Sequence, residues 1–137
     1  MPGHTCAHTV MKTILLIDDD RDDQEIFSMA LQEVAPDFRF ITAGDGFEAL
    51  EMLKERNVKP DYIFLDLNMP RMNGRQCLEE IRRDPELSEV PVVIYSTSSE
   101  LKDREQLIEM GATAFVTKPP KIVELINIVR DIIYQLR

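Results

Sequence analysis

Residues Asp61 to Gly74 read DYIFLDLNMPRMNG. The run Tyr62-Ile63-Phe64-Leu65 is apolar and β-prone. It ends in a carboxylate, Asp66, and is then broken by Asn68, Pro70, Asn73 and Gly74. A strand that is apolar at every position is covered on both faces, which is the mark of a parallel sheet. The turn that follows holds Asp66 at the carboxyl edge of that sheet, where open α/β folds place their ligands. The rest of the chain is constrained by what it brings to that point.

The flanking sequence repeats the pattern. Thr13 to Ile17 is an unbroken apolar run ending in Asp18-Asp19-Asp20. A helix follows, with Asp22 and Asp23 in its first turn, where carboxylates suit the helix dipole. Its apolar face is Ile26, Phe27, Ala30, Leu31 and Val34, and Pro36 ends it. Phe38 to Ala43 reads as a second strand, Gly44-Asp45-Gly46 as a turn, and Phe47, Leu50 and Leu53 mark the next helix. After the central strand, Cys77, Leu78 and Ile81 mark a third helix, which makes Cys77 a small core residue. Val92 to Tyr95 is a fourth strand, ending in Ser96-Thr97-Ser98-Ser99. A polar helix from about Glu100 to Met110 is closed by Gly111. Ala114 to Thr117 is a fifth strand, ending in Lys118, and the last helix runs from about Lys121 to Leu136. Five strand-helix units without a repeat predict an α/β domain, a doubly wound five-stranded parallel sheet with helices on both faces.

The chain has 137 residues, which suits one domain. The domain is expected over 12–137, preceded by a disordered tail over 1–11. His4, Cys6 and His8 are metal-ligand types at alternating spacing, but a mobile tail is the better reading. Met11 is a candidate natural start. The net charge of −9 argues against nucleic acid, whose phosphates need clustered Lys and Arg. The apolar runs fall far short of a membrane span. Two cysteines give no disulfide framework, which fits a reduced, cytoplasmic setting.

Parallel strands present their carboxyl ends at one edge, so Asp18-Asp19, Asp66, Ser96 and Lys118 converge. Each alone has a plain explanation as a helix cap or a solvated charge; together they do not. Two carboxylates about 4 Å apart repel by roughly 4 kcal/mol at an effective dielectric near 20. The three acids therefore call for a counter-ion, and an all-oxygen site open to water suits Mg²⁺. Lys118 adds a charge able to hold phosphate, and Ser96 adds a hydroxyl donor. The set reads as a phosphoryl-transfer site with Asp66 as carboxylate nucleophile.

On LLIDDD, LDLNMPRMNG, YSTSS and GATAFVTKP, in this order and spacing, the chain resembles the receiver domain of two-component response regulators, over essentially all of Lys12 to Arg137. The DDDRDDQEIF and YSTSS runs are most similar to stand-alone receivers such as those paired with bacterial phytochrome kinases. The resemblance implies a flavodoxin-like sheet in the order 2-1-3-4-5. It implies that Asp66 is the phosphoacceptor, and that Asp19, Asp66 and the Asn68 backbone carbonyl ligate Mg²⁺, with Asp18 acting through water. Lys118 would contact the phosphoryl group, and Ser96 and Phe115 would be the switch pair. The Lys118–Pro119 bond would be cis. Such a protein catalyses only its own phosphorylation and dephosphorylation. Its partners would be a histidine kinase or histidine phosphotransfer protein upstream and an unidentified protein downstream, since no output domain follows. There are departures: Phe115 stands where Tyr is frequent, Pro120 where an aromatic is common, and Ser98 where some members carry an acid.

Other readings fit less well. Gly44 to Ala49 matches G-x-G-x-x-A, but that fingerprint belongs in the first strand-helix turn, which here is three aspartates. A phosphatase of the haloacid dehalogenase type needs an acid two residues after its nucleophile, and Asn68 stands there. A degenerate receiver acting only as a binding module would not keep Asp18, Asp19, Asp66, Ser96 and Lys118 intact. On the last helix, Ile122, Ile126, Val129 and Ile133 form one stripe and Leu125, Ile128, Ile132 and Leu136 another. Together they span roughly 160°, wider than the stripe of about 100° that covers a sheet. That width predicts either a homodimer or partner surface, or a deeply buried helix.

Overall fold

A computed structural model describes residues 11–55, 58–97 and 103–136. The elements run β1 (Thr13–Ile17), α1 (Arg21–Val34), β2 (Arg39–Ala43), α2 (Gly46–Lys54), β3 (Tyr62–Leu65), α3 (Gly74–Arg83), a 3₁₀ turn (Pro85–Leu87), β4 (Val92–Ser96), α4 (Arg104–Glu109), β5 (Ala114–Thr117) and α5 (Ile122–Gln135). All pairings are parallel, in the order β2-β1-β3-β4-β5. The predicted flavodoxin-like order holds.

Successive strand residues point to opposite faces, and the two cores follow that parity. Leu15, Ile17, Ile63, Leu65, Val92 and Ile94 face one way and meet Leu50, Leu53, Cys77, Leu78, Ile81 and Leu107 from α2, α3 and α4. Ile14, Leu16, Tyr62, Phe64, Val93 and Tyr95 face the other way and meet α1 and α5. Phe27 of α1 anchors that second layer. Its ring lies edge-on to Phe64 at 4.8 Å and to Tyr95 at 5.6 Å, and stacks on Phe40 at 5.6 Å. Each of the three inner strands is buried along its whole length, while β2 and β5 form the partly exposed edges.

Local differences from the predicted elements have local causes. The second strand begins at Arg39 because the Phe38 N–H bonds to the Ala35 carbonyl (3.0 Å) and closes the turn out of α1. Helix α4 is described from Arg104, so the predicted start near Glu100 lies outside the described residues, as do the tail with His4, Cys6 and His8, and Ser98. Gly111 closes α4 at φ 111°, a left-handed conformation that favours glycine. The Lys118–Pro119 bond is not cis: no cis peptide bond occurs among the described residues. Trans is the default for a prolyl bond by about 0.5–1 kcal/mol.

The wide apolar arc of α5 is accounted for mostly by burial. Leu125, Val129 and Ile132 are buried in the second core, and Ile122, Ile126, Ile128, Ile133 and Leu136 pack partly against it. The large apolar side chains that α5 leaves exposed are Val123 and Tyr134. Among the described residues, no helix is long and apolar enough to cross a membrane.

Candidate functional site

Three of the predicted residues stand one step beyond a strand and are held there by the sheet ladder. Asp18 N–H bonds to the Ala43 carbonyl (3.0 Å), Asp66 N–H to Ile17 (3.0 Å) and Lys118 N–H to Ser96 (2.8 Å). Their side chains therefore leave the carboxyl edge from backbone as rigid as the strands themselves. The loop after β1 is fixed by its acids: Asp18 Oδ1 accepts from Asp20 N–H (3.0 Å), and Asp20 caps α1 by accepting from Asp22 and Asp23 N–H. Gln24 adds a side-chain donor to the Asp18 carbonyl (2.7 Å).

The loop after β3 is equally determined. Asn73 and Gln76 form a reciprocal capping box at the start of α3. Gly74 N–H bonds back to the Leu67 carbonyl (3.0 Å), and a Cβ at position 74 would lie 2.6 Å from Leu67 Cα. Only glycine allows α3 to begin this close to the residues behind Asp66. Arg71, at φ 64°, pairs with Asp45 and covers the exposed Phe47 ring, which ties this loop to α2.

Asp66 is 5% exposed. Its Oδ1 accepts from the Ser96 hydroxyl (2.9 Å) and the Asn68 N–H (3.2 Å), and its Oδ2 meets Lys118 Nζ (3.2 Å). Lys118 Nζ also reaches Asp18 Oδ2 (2.8 Å) and Asp23 Oδ2 (2.7 Å). Burial dominates Asp18, which is wholly enclosed, and raises its carboxyl from 3.8 to about 6; the contacts with Lys118 and Asp20 pull downward without offsetting it. For Lys118 burial pulls downward, but its bonds to Asp18 and Asp23 and the charges of Asp18 and Asp66 outweigh it, so the ammonium is held charged. Away from the site, burial pushes the Cys77 thiol up to about 12, as befits a core residue.

The acids fit a divalent cation. Carboxylate oxygens of Asp18, Asp19 and Asp66 lie within 4.8 Å of one another, with Asp19 exposed and the other two buried. Asp18 Oδ2 is buried against the Lys118 ammonium at 2.8 Å, an ion pair that leaves the oxygen a further lone pair to offer. A buried carboxylate oxygen in that condition, beside two further carboxylates at an opening lined also by Asn68, Ser96 and Thr97, suits a hard cation that keeps part of its water.

The structure thus brings together Asp18, Asp19, Asp66, Ser96 and Lys118, with Asn68 at the rim. Phe115 lies apart, half-buried on β5 with the Arg104 guanidinium 5.5 Å from its ring centre. Sequence reasoning missed Asp23 as a site residue. Beside Asp22 in the first turn of α1 it reads as a helix-dipole acid, and only its side-chain contact with Lys118 marks it as part of the site. The glycine turn at Gly44 to Ala49 offers nothing to a pyrophosphate. Gly44 N–H is taken by Glu48 Oε1 (2.5 Å) and Glu48 N–H by Asp45 Oδ1 (2.8 Å).

A doubly wound sheet that gathers carboxylates at its carboxyl edge, rather than a glycine-rich turn, has there the oxygen donors that a divalent cation takes. Comparison with known proteins makes the class specific. The family model described as the response regulator receiver domain matches residues 14–130, and the chain belongs to that family: it is a receiver domain of two-component signalling. It is 32% identical over 126 residues to the response regulator Rcp1 of Synechocystis, covering 88% of this chain and 86% of that protein. It superposes on the phosphorylated cyanobacterial phytochrome response regulator RcpA with a TM-score of 0.83, at 32% identity over 93% of this chain and 94% of the other. The Mn²⁺-bound form of Rcp1 gives 0.78, at 32% identity over 88% and 91%. Against longer regulators the match is partial: the chain is 33% identical to the probable transcriptional regulator ycf27 of Guillardia theta but covers 42% of it. Receiver domains are signalling proteins that bind a divalent metal and act with histidine kinases or phosphotransfer proteins.

Proposed function

We propose that Asp66 accepts a phosphoryl group from a histidine kinase or histidine phosphotransfer protein in a Mg²⁺-dependent reaction, and that the modified site alters a partner-binding surface. The observation that carries this reading is the set of contacts on Asp66: a buried carboxylate that receives a hydroxyl on one oxygen and an ammonium on the other, beside two further acids. Asp19, Asp66 and the Asn68 carbonyl would hold Mg²⁺, with Asp18 acting through water. Bound there, the ion neutralises the acids and orients phosphoryl oxygens.

In the reaction an Asp66 oxygen attacks phosphorus, and the bond from phosphorus to the donor's nitrogen or acyl oxygen breaks. The electron pair leaves with the donor. Hydrolysis returns the carboxylate and releases inorganic phosphate. The new group carries roughly −2 charge and three acceptor oxygens, by analogy with other protein phosphates. Lys118 and the Ser96 hydroxyl, both already on Asp66, are the donors placed to transfer to it. Movement of Ser96 toward the group opens space beside β5 for Phe115, which would reshape the surface of α4, β5 and α5. The chain turns over no other substrate in this reading. Its domain is residues 12–137, its setting cytoplasmic, and it binds neither nucleic acid nor membrane.

The reading extends to self-association through α5, where Val123 and Tyr134 are exposed. A monomer by sedimentation at high concentration, with and without phosphorylation, would exclude that extension. The test of the central claim is intact mass after treatment with acetyl phosphate and Mg²⁺. The protein should gain one phosphate, and Asp66→Asn should gain none. A phosphate that survives Asp66→Asn, or that forms equally well in excess chelator, would refute it.

A further inference from the structure

The Lys118 ammonium has three protons to donate, and it stands among three carboxylates. One of those contacts is to neither strand-end acid but to Asp23 on α1, at 2.7 Å and as close as Asp18 at 2.8 Å, with Asp66 at 3.2 Å. Asp23 is not loosely placed. Its backbone N–H is held by the Asp20 cap (3.2 Å), and Asp20 N–H is held by Asp18, so the carboxylate is registered to the same loop as the acids of the site. It lines the opening in which Asp66, Ser96 and Lys118 meet. With 27% of its side chain exposed it has no packing duty comparable to Phe27 or Leu31 on the same helix.

We propose that Asp23 is a positioning residue that acts through Lys118, tethering the ammonium toward α1 and so competing with the phosphoryl group for it. The inference rests on the proposed chemistry at Asp66. Phosphorylation adds a dianionic acceptor on the Asp66 side of Nζ, and Lys118 engages that group fully only by loosening from Asp23. The competition has one sign: Asp23 slows phosphorylation and weakens the hold of Lys118 on the product. The adjacent Asp22 has the same charge, but its N–H merely joins the Asp20 cap and the Lys118 ion pairs among the described residues are with Asp18, Asp23 and Asp66, so it is the internal control.

Two measurements test this. The first needs no phosphorylation: reductive methylation of the metal-free protein with formaldehyde and cyanoborohydride, read by peptide mass. In Asp23→Asn the labelling of Lys118 relative to Lys121 should rise about threefold or more, the scale of losing one near unit charge, while Asp22→Asn leaves it unchanged. The second is the rate of phosphorylation by acetyl phosphate with Mg²⁺, where Asp23→Asn should exceed wild type by about threefold or more and Asp22→Asn by less. The Asp23→Asn gain should vanish in a Lys118→Ala background, which a purely structural or purely electrostatic role would not produce. Equal Lys118 labelling in wild type and Asp23→Asn overturns the tether. A rate gain that persists without Lys118 overturns competition for the ammonium. Failure of wild type to accept phosphate overturns the Asp66 reading instead, and leaves the tether to be decided by the labelling.

Discussion

The two edges of the sheet bury polar groups on opposite terms. At the amino edge, Asp61 stands before β3 and its Oδ2 accepts the Thr13 N–H of β1 at 2.7 Å. That is one acceptor for one donor, and Thr13 is the one buried polar residue there. At the carboxyl edge Asp18, Asp66 and Ser96 are all buried, Asp19 is adjacent, and one ammonium serves three carboxylates. The first arrangement satisfies a backbone group and stabilises the fold. The second leaves an excess of negative charge, three carboxylates on one ammonium with Asp19 beside them, which costs stability until a cation is supplied. The same sheet therefore has one edge arranged for folding and one arranged for binding.

Substitutions at the two edges should break this contrast in opposite directions. The largest effect is expected at Asp19: Asp19→Asn should weaken Mg²⁺ or Mn²⁺ binding by at least about tenfold, measured by calorimetry, because it removes an exposed ligand charge without touching the core. An unchanged affinity would remove Asp19 from the cation site.

The next effect is on stability. The folded-state carboxyl of Asp18 is raised from 3.8 to about 6, so the folded protein holds this proton more tightly than the unfolded chain does. The stability linked to it is complete below about pH 3.8 and is lost as pH rises through about 6. In excess chelator Asp18→Asn, which keeps the acceptor for Asp20 N–H, should therefore be more stable than wild type at pH 8 by about 1–3 kcal/mol. The gain should shrink at pH 5. Urea unfolding at the two pH values decides it, and a variant less stable than wild type at pH 8 would contradict the account.

The smallest expected effect is at the amino edge. Asp61→Ala leaves the Thr13 N–H without its acceptor and should destabilise by about 1–2 kcal/mol in urea unfolding, with no change in cation affinity. A change in affinity would show that the edges are coupled.

The periodicity of the sequence determined most of this molecule. Unbroken apolar runs must be covered twice, so Thr13 to Ile17 and Tyr62 to Leu65 declared a parallel sheet. A polar residue directly after each run must fall at one edge, so Asp18, Asp66 and Lys118 were legible as neighbours without coordinates. Chain order and spacing alone could not decide which carboxylates share the Lys118 ammonium, because that depends on distances between elements distant in sequence. Asp23 was read as a helix-dipole acid because nothing local distinguishes it from Asp22; only the packing of Phe27 against Phe64 and Tyr95 sets the rotation of α1 that turns one toward Lys118 and the other away. For the same reason the apolar arc of α5 was ambiguous: its width follows from sequence, but tertiary packing decides its cover, burying Leu125, Val129 and Ile132 and covering the other five positions in part.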